Sequence, residues 1–286
     1  MGWPTALPGV RRLEWHEASI PDGAFLRLPV PGLVVVLNVA ARGEWRRHAG
    51  EPWRPQPAAS VRGLTLHPTL GRDPDAGALG YVSIVLAPWA APLYLRAPAA
   101  AFVDDIVDLA LVAPGWPALV ARVAGAPSAA ARCALVEAEL HTLGARWSPV
   151  AGGGRGAPAS ARLGPVAERA LVEALERGEA VTTVAAALGV TPRRVHQRTR
   201  ALCGVAPRDL AQLARFGRGI EALQREASGE ALAAWRAEHA DQPHAIRAFR
   251  RFAWLTPGQY AASRRAIPRT RFAVAAPASA APGAER

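Results

Sequence analysis

Residues Thr182 to Gly204, TTVAAALGVTPRRVHQRTRALCG, leave little choice of local structure. Thr182 can cap a helix whose Val184, Ala185 and Leu188 fall on one face, and Gly189 comes where a left-handed residue ends a helix. Thr191 and Pro192 then supply an N-cap and a first-turn proline, so a second helix begins at once and runs to about Cys203, before Gly204. Its inward face holds Val195, Thr199 and Leu202. Its outward face carries Arg193, Arg194, His196, Gln197, Arg198 and Arg200. Two short helices around a glycine turn, the second strongly basic, is the layout of a DNA-reading helix-turn-helix. Arg pairs bidentately with guanine, Gln with adenine, and the remaining cations suit phosphates. A solvated basic helix in an ordinary bundle has the same local pattern, so the rest of the chain must decide.

A second copy lies downstream. Residues Gly229 to Tyr260 again read as an Ala-, Leu- and Trp-rich helix, a turn and a basic helix. Asp241 is the expected cap. Ala245, Phe249 and Phe252 point inward, and Gln242, His244, Arg247, Arg250 and Arg251 outward. Between the units, Pro207 to Glu226 places Leu210, Leu213, Ile220 and Leu223 at helical spacing. A helix of roughly 20 residues spans about 30 Å, close to the ~34 Å of one turn of DNA. Such a connector can set two recognition helices into successive major grooves.

With these residues in view, the stretch from Leu163 to Arg265 resembles the AraC/XylS family of bacterial transcription regulators. The resemblance rests on VAAALGVTPRRVHQRTRALCGVAPRDL, with Gly189, Gly204 and Pro207, and on DQPHAIRAFRRF followed by LTPGQY, with Asp241, Gln242, His244, Arg247, Phe249, Thr256, Pro257 and Tyr260. It implies two helix-turn-helix units in one monomer and binding to double-stranded promoter DNA. It also implies an N-terminal domain that senses a small-molecule effector, dimerises, or does both, with RNA polymerase as a further partner. The family's base-reading positions fall on Arg193, His196 and Gln197, with Arg200 beside them, and on Gln242, His244 and Arg247. Three residues depart from the pattern: Glu238 and Trp254 stand where glycine is usual, and Thr199 where Phe is usual. A non-glycine residue in the left-handed region costs roughly 1 kcal/mol, so the first unit is expected to do most of the sequence reading.

Charge follows the same division. All 34 basic residues are arginines. Residues 158–271 carry 19 of them against 10 acids, net +9, whereas residues 1–157 carry 14 against 12, net +2. An electrostatic footprint on a polyanion has this form. The expected map is an N-terminal sensor or dimerisation domain over 1–148, a Gly- and Pro-rich flexible linker over 149–161, a double helix-turn-helix over 162–270 and a disordered tail over 271–286. In the N-terminal domain, Phe25 to Leu28, Leu33 to Val39, Ser60 to Leu66 and Tyr81 to Leu86 read as strands, and Ala99 to Leu111 and Ser128 to Leu143 as helices. The fold class is therefore an α+β domain joined to an all-α double helix-turn-helix. The resemblance adds a cupin-like barrel followed by helices as the form of the first.

Other chemistry finds little footing. His16, His48, His67 and His141 form no close-spaced pair for a metal, and there is no GxSxG elbow, P-loop or strand-bounded GxGxxG. No catalytic role, metal or cofactor is expected. Cys133 and Cys203, one in each domain, make no disulfide framework. The chain opens without an apolar signal core and no run approaches ~20 apolar residues, so no membrane partner is expected and the location is expected to be cytoplasmic. Trp15, Trp45, Trp53, Trp89 and Trp116 suit either a ligand pocket or a core, and Arg46 and Arg47 would suit an anion if they faced inward. Two alternatives stay open: a catalytic N-terminal domain localised on DNA by the basic module, and an architectural binder without sequence preference.

Overall fold

The computed structural model describes residues 2–3, 6–19, 24–40, 43–73, 78–113, 115–146, 163–225, 242–263 and 273–275. The N-terminal half is built from β-branched and aromatic runs whose alternation buries one face. In β4 (Leu33–Asn38), Leu33, Val35 and Leu37 are fully buried while Val34 and Val36 are half-buried, the period of two that a strand imposes. Around it forms an antiparallel sheet in the order β1 (Gly2–Trp3), β2 (Val10–Ser19), β9 (Ala78–Leu86), β4, β7 (Ala59–Arg62), β10 (Ile106–Asp108). A second antiparallel sheet runs β11 (Ala273–Ala275), β3 (Ala24–Arg27), β8 (Thr69–Arg72), β5 (Glu44–Arg46), β6 (Arg54–Pro55). Among the described residues no strand is shared between them, so the barrel suggested by the family resemblance is open here.

Helices follow the strands: α1 (Ala91–Leu95), α2 (Trp116–Ala124) and α3 (Ala129–Arg146). Ser128 caps α3 as expected, its Oγ accepting from the Ala131 amide at 3.1 Å, and Leu140 is fully buried. Tyr94 of α1 donates to the Pro8 carbonyl at 2.8 Å, tying α1 to the start of β2.

Three expectations change. Ala99 to Leu111 is not one helix: a 3-10 turn over Ala99–Phe102 ends before Asp104, which takes a left-handed φ of 56°. The chain then turns into β10, which pairs with β7 through Ile106↔Arg62 and Asp108↔Ser60. The edge of β7 needs a partner for its backbone groups, and that demand overrides local helix propensity. β2, absent from the sequence reading, is ten residues long; its alternation of Leu13 and Trp15 with Arg12, Glu14 and His16 was masked by the charges. Ala273–Ala275, inside the stretch expected to be a structureless tail, pairs with β3 through Ala273↔Arg27 and Ala275↔Phe25. The linker expected at 149–161 lies outside the described residues.

The C-terminal half is helical: α4 (Pro165–Arg177), α5 (Val181–Ala187), α6 (Pro192–Cys203), α7 (Pro207–Arg225), α8 (Gln242–Ala253) and α9 (Pro257–Ser263). Its buried residues join those of the sheets in one continuous core.

Gly63 marks the closest approach within the N-terminal half, because a Cβ there would stand 1.6 Å from the Phe102 carbonyl oxygen. Gly63→Ala should lower unfolding free energy by about 2–3 kcal/mol, read by urea titration, since backbone rather than a flexible side chain must move.

Candidate nucleic-acid interface

The first unit follows the sequence with one change. α5 begins at Val181 with Ala180 at the cap position, and the Val184 amide donates to the Ala180 carbonyl at 3.0 Å. Thr182 is therefore an exposed residue within the first turn and caps nothing. Val184 and Ala185 are buried, Leu188 packs against the core, and Gly189 takes φ +63°. At the start of α6, Thr191 Oγ1 accepts from the Arg194 amide at 3.2 Å and Pro192 sits in the first turn. At its end, Gly204 has φ +75° and its amide donates to the Arg200 carbonyl at 2.8 Å. Both boundaries are thus set by side-chain chemistry and backbone handedness.

Val195, Thr199, Leu202 and Cys203 form the buried face of α6. Thr199, lacking the bulk of Phe, turns its hydroxyl back to the Val195 carbonyl at 2.8 Å, which satisfies the only polar atom on that face. Arg193, His196, Gln197 and Arg200 are exposed together on the opposite face, with Arg194 half-buried beside them. Arg198 is placed differently: it forms an ion pair with Glu168 on α4, so it braces α6 against the helix behind it.

α7 carries the first unit to the second. Leu210, Leu213, Ile220 and Leu223 are buried along it. Phe216 of α7 meets Phe249 of α8 edge to face, with ring centroids 5.3 Å apart, and Phe252 of α8 at a tilt, 5.1 Å apart, and Phe249 meets Tyr260 of α9 at 5.7 Å. Arg251, read as an outward cation, donates instead to Asp209 at 2.8 Å and Gln212 at 2.6 Å, both on α7. That leaves Arg247 and Arg250 exposed on α8. Gln242 and His244 lie in the first turn of α8, and their side chains, like Glu238 and the Asp241 cap, fall outside the described residues. Trp254 does occupy the left-handed position, with φ +54°, its amide closing on the Arg250 carbonyl at 2.9 Å. The sequence reading missed a capping box at α9: Gln259 Oε1 accepts from the Thr256 amide at 2.8 Å while the Gln259 amide donates to Thr256 Oγ1 at 3.2 Å. The signal was there, in Thr followed three residues later by Gln.

Residues 184–263 match the family model described as a helix-turn-helix domain. The C-terminal region is an AraC-type helix-turn-helix domain. Across most of the chain's length there is a distant likeness to solved regulators. ToxT from Vibrio cholerae O395 is 11% identical over 87% of this chain and 96% of its own, with a TM-score of 0.46. Unsaturated fatty acid bound ToxT from Vibrio cholerae strain SCE256 is 9% identical over 87% and 94%, with a TM-score of 0.44. The AraC-like transcriptional activator CuxR is 17% identical over 82% of each chain, with a TM-score of 0.29. No curated protein matches the sequence.

The AraC-type domain docks on the N-terminal half. Arg11 of β2 pairs with Glu176 of α4 at 2.5 Å, and Arg12 with Glu221 of α7 at 2.7 Å. Arg169 of α4 stands over the Trp89 ring at 5.1 Å. The end of α6 abuts the 99–103 segment so closely that a Cβ on Gly204 would meet Val103 Cγ2 at 2.3 Å.

Among the described residues no group of three or more His, Cys, Asp or Glu could hold a metal ion, and no helix is long and apolar enough to cross a membrane. Arg46 lies over Trp53 at 4.2 Å and donates to the Ala49 carbonyl at 2.8 Å, while Arg47 pairs with Glu51 at 2.9 Å. The anion role considered for this pair has no geometry behind it. Trp15, Trp45 and Trp116 are buried, and Trp53 and Trp89 pack half-buried against the core.

Two measurements check the docked arrangement. Gly204→Ala combines a left-handed strain of about 1 kcal/mol with clashes on Val103 Cγ2 and the Ala100 backbone; it should destabilise the full chain, and Val103→Ala in the same protein should recover only the part of the clash that falls on Val103. Cys133 and Cys203 are both free and buried. Burial pushes the Cys203 thiol far above its ordinary range, with Glu176 adding to it, and burial raises that of Cys133 as well. Both therefore stay protonated at pH 8, and a thiol reagent should label neither until denaturant is added.

Proposed function

We propose that the chain is a sequence-specific transcription regulator of the AraC type, binding double-stranded promoter DNA through the exposed face of α6, with α8 in support. The observation that carries this reading is the face itself: Arg193, His196, Gln197 and Arg200 exposed together on a helix whose ends are fixed by Thr191 and Gly204. Arg193 and Gln197 offer the bidentate groups that distinguish guanine and adenine in the major groove. Arg194, Arg200 and Arg250 suit phosphates, with Gln242, His244 and Arg247 as base-reading positions of the second unit. Arg198 and Arg251 serve by holding α6 and α8 in place. No catalytic step or cofactor belongs to this reading, and the protein acts in the cytoplasm, where the chromosome lies.

In the same proposal residues 1–148 are the sensor or dimerisation domain and 162–270 the DNA-binding domain, connected through 149–161. An effector, or a second copy of the chain, alters promoter occupancy only by the difference in its affinity for the two states. The contacts of Arg11, Arg12 and the 99–103 segment with α4, α6 and α7 offer a direct physical route for that difference. RNA polymerase is the partner through which an activator at a promoter would act.

The test is selection of bound oligonucleotides from a random pool, followed by affinity measurement on the selected site and on random DNA. Arg193→Ala and Gln197→Ala should each cost about 1–3 kcal/mol on the selected site and relax specificity at one position. Arg200→Ala should weaken both DNAs alike and reduce the salt slope by about 1. Equal losses on both DNAs from Arg193→Ala would contradict the base-reading role.

A further inference from the structure

The strongest unexplained feature lies inside the N-terminal half. Arg27 of β3 and Arg62 of β7 each bury an Nη1 atom that has no hydrogen-bond partner, and so does the hydroxyl oxygen of Thr69. Thr69 lies directly across from Arg27 in the β3–β8 pairing, so the two share one face of the second sheet. Arg27 Nη2 donates to Gln56 Oε1 at 2.7 Å, and Gln56 Nε2 donates to Ser60 Oγ at 3.3 Å. Ser60 and Arg62 are two residues apart on β7, hence on one face of the first sheet. This chain brings the two guanidinium groups to a common polar region between the sheets.

Among the described residues, neither arginine forms an ion pair with a carboxylate. Glu14 is buried on the same face of the first sheet as Ser60, through the register Glu14↔Ser83↔Val36↔Ser60. That path crosses three strand spacings, roughly 14 Å, and Glu14 is engaged by His16 at 3.6 Å and Arg12 at 3.9 Å. Burial pushes Arg27 down to about 10. Burial, with the charge of Arg27 added, pushes Arg62 down to about 9. Both remain cationic at neutral pH. Burial pushes the Tyr81 phenol, within electrostatic reach of both arginines and of Glu14, up to about 12, so it keeps its proton and can donate. Two like charges held together in a low-dielectric interior are costly unless an anion joins them.

We propose that Arg27, Arg62, Thr69 and Tyr81 form an anion site inside the N-terminal domain, which takes the carboxylate or phosphate head of a small organic molecule. The inference deepens the effector reading above and rests on it: the site gives that effector a chemical class. A planar guanidinium fork recognises either head group through paired charge-assisted hydrogen bonds, and two forks converging from different sheets would also tie those sheets together. Ala273 of β11 pairs with Arg27 itself, so the strand that carries one fork is also the one that receives the C-terminal segment.

The test is calorimetric titration of the full chain, without DNA, with acetate, benzoate, octanoate and inorganic phosphate. At least one should bind saturably, one per chain, and Arg27→Met and Arg62→Met should each weaken it about tenfold or more. Binding by carboxylates alone or by phosphate alone identifies the head group. Should Arg62→Met fail to fold, Arg62→Lys keeps the charge but loses the fork, and the same loss is expected. Saturable binding by none of the four, or binding that both Met variants leave unchanged, would overturn the site. Arg193→Ala should bind the anion as the unaltered chain does, so a failure of DNA reading and a failure of this site are separately visible.

Discussion

Two ion pairs, Arg11–Glu176 and Arg12–Glu221, join the two halves of this molecule. Arg11 reaches from β2 to Glu176 on α4 at 2.5 Å and also donates to the Pro31 carbonyl. The backbone oxygen of Glu176 meanwhile accepts from Arg218 of α7 at 2.9 Å. The N-terminal sheet is thereby tied to two helices of the DNA-binding domain at a single residue. Burial raises the Glu176 carboxyl above its ordinary range even though Arg11 pulls it down. The folded protein therefore holds that proton more tightly than the unfolded chain does, and the carboxyl's contribution to stability falls as pH rises from the ordinary carboxylate range through the raised value. A pair whose desolvation outweighs its attraction is a poor stabiliser. Its physical effect is positional: with the Arg218 contact on the same residue, it places β2 against α4 and α7.

That placement matters because α6 is held at its middle and at its C-terminal end. Glu168 of α4 grips Arg198 in its middle, and the 99–103 segment stands against Gly204 at its end. A shift in the N-terminal half can reach the exposed face of α6 through these packed contacts. α8 is set by different means, the Phe216, Phe249 and Phe252 cluster and the Arg251 contacts to α7. It is therefore coupled to α6 mainly through the stiffness of α7.

The helix boundaries around α6 were legible in the sequence because they depend on local chemistry: Thr191 and Pro192 at the start, Gly204 at the end, Gly189 in the turn. The exposed face followed from spacing. Arg198 and Arg251 were misplaced by the same spacing, since periodicity shows which side a residue leaves the helix but not that an acid on a neighbouring helix, Glu168 or Asp209, waits there. In the N-terminal half, β4 and β9 could be read from continuous apolar runs. β10 could not, because Ile106 to Asp108 becomes a strand only by pairing with β7, a contact far along the chain. Nor could the Arg27 and Arg62 cluster, which is visible only once two separate sheets face each other; adjacency along the chain points instead to Arg46 and Arg47, which Trp53 and Glu51 already engage.

Sequence reading by the exposed face of α6 is the proposal on which the rest depends. Genomic DNA-affinity sequencing of the purified full chain, repeated across a salt series, decides it. A sharp motif, concentrated near promoters, is expected, persisting as salt rises while non-specific binding falls away. A featureless profile that decays steeply with salt at every site would contradict it, and would leave the basic face as a binder of DNA without sequence preference.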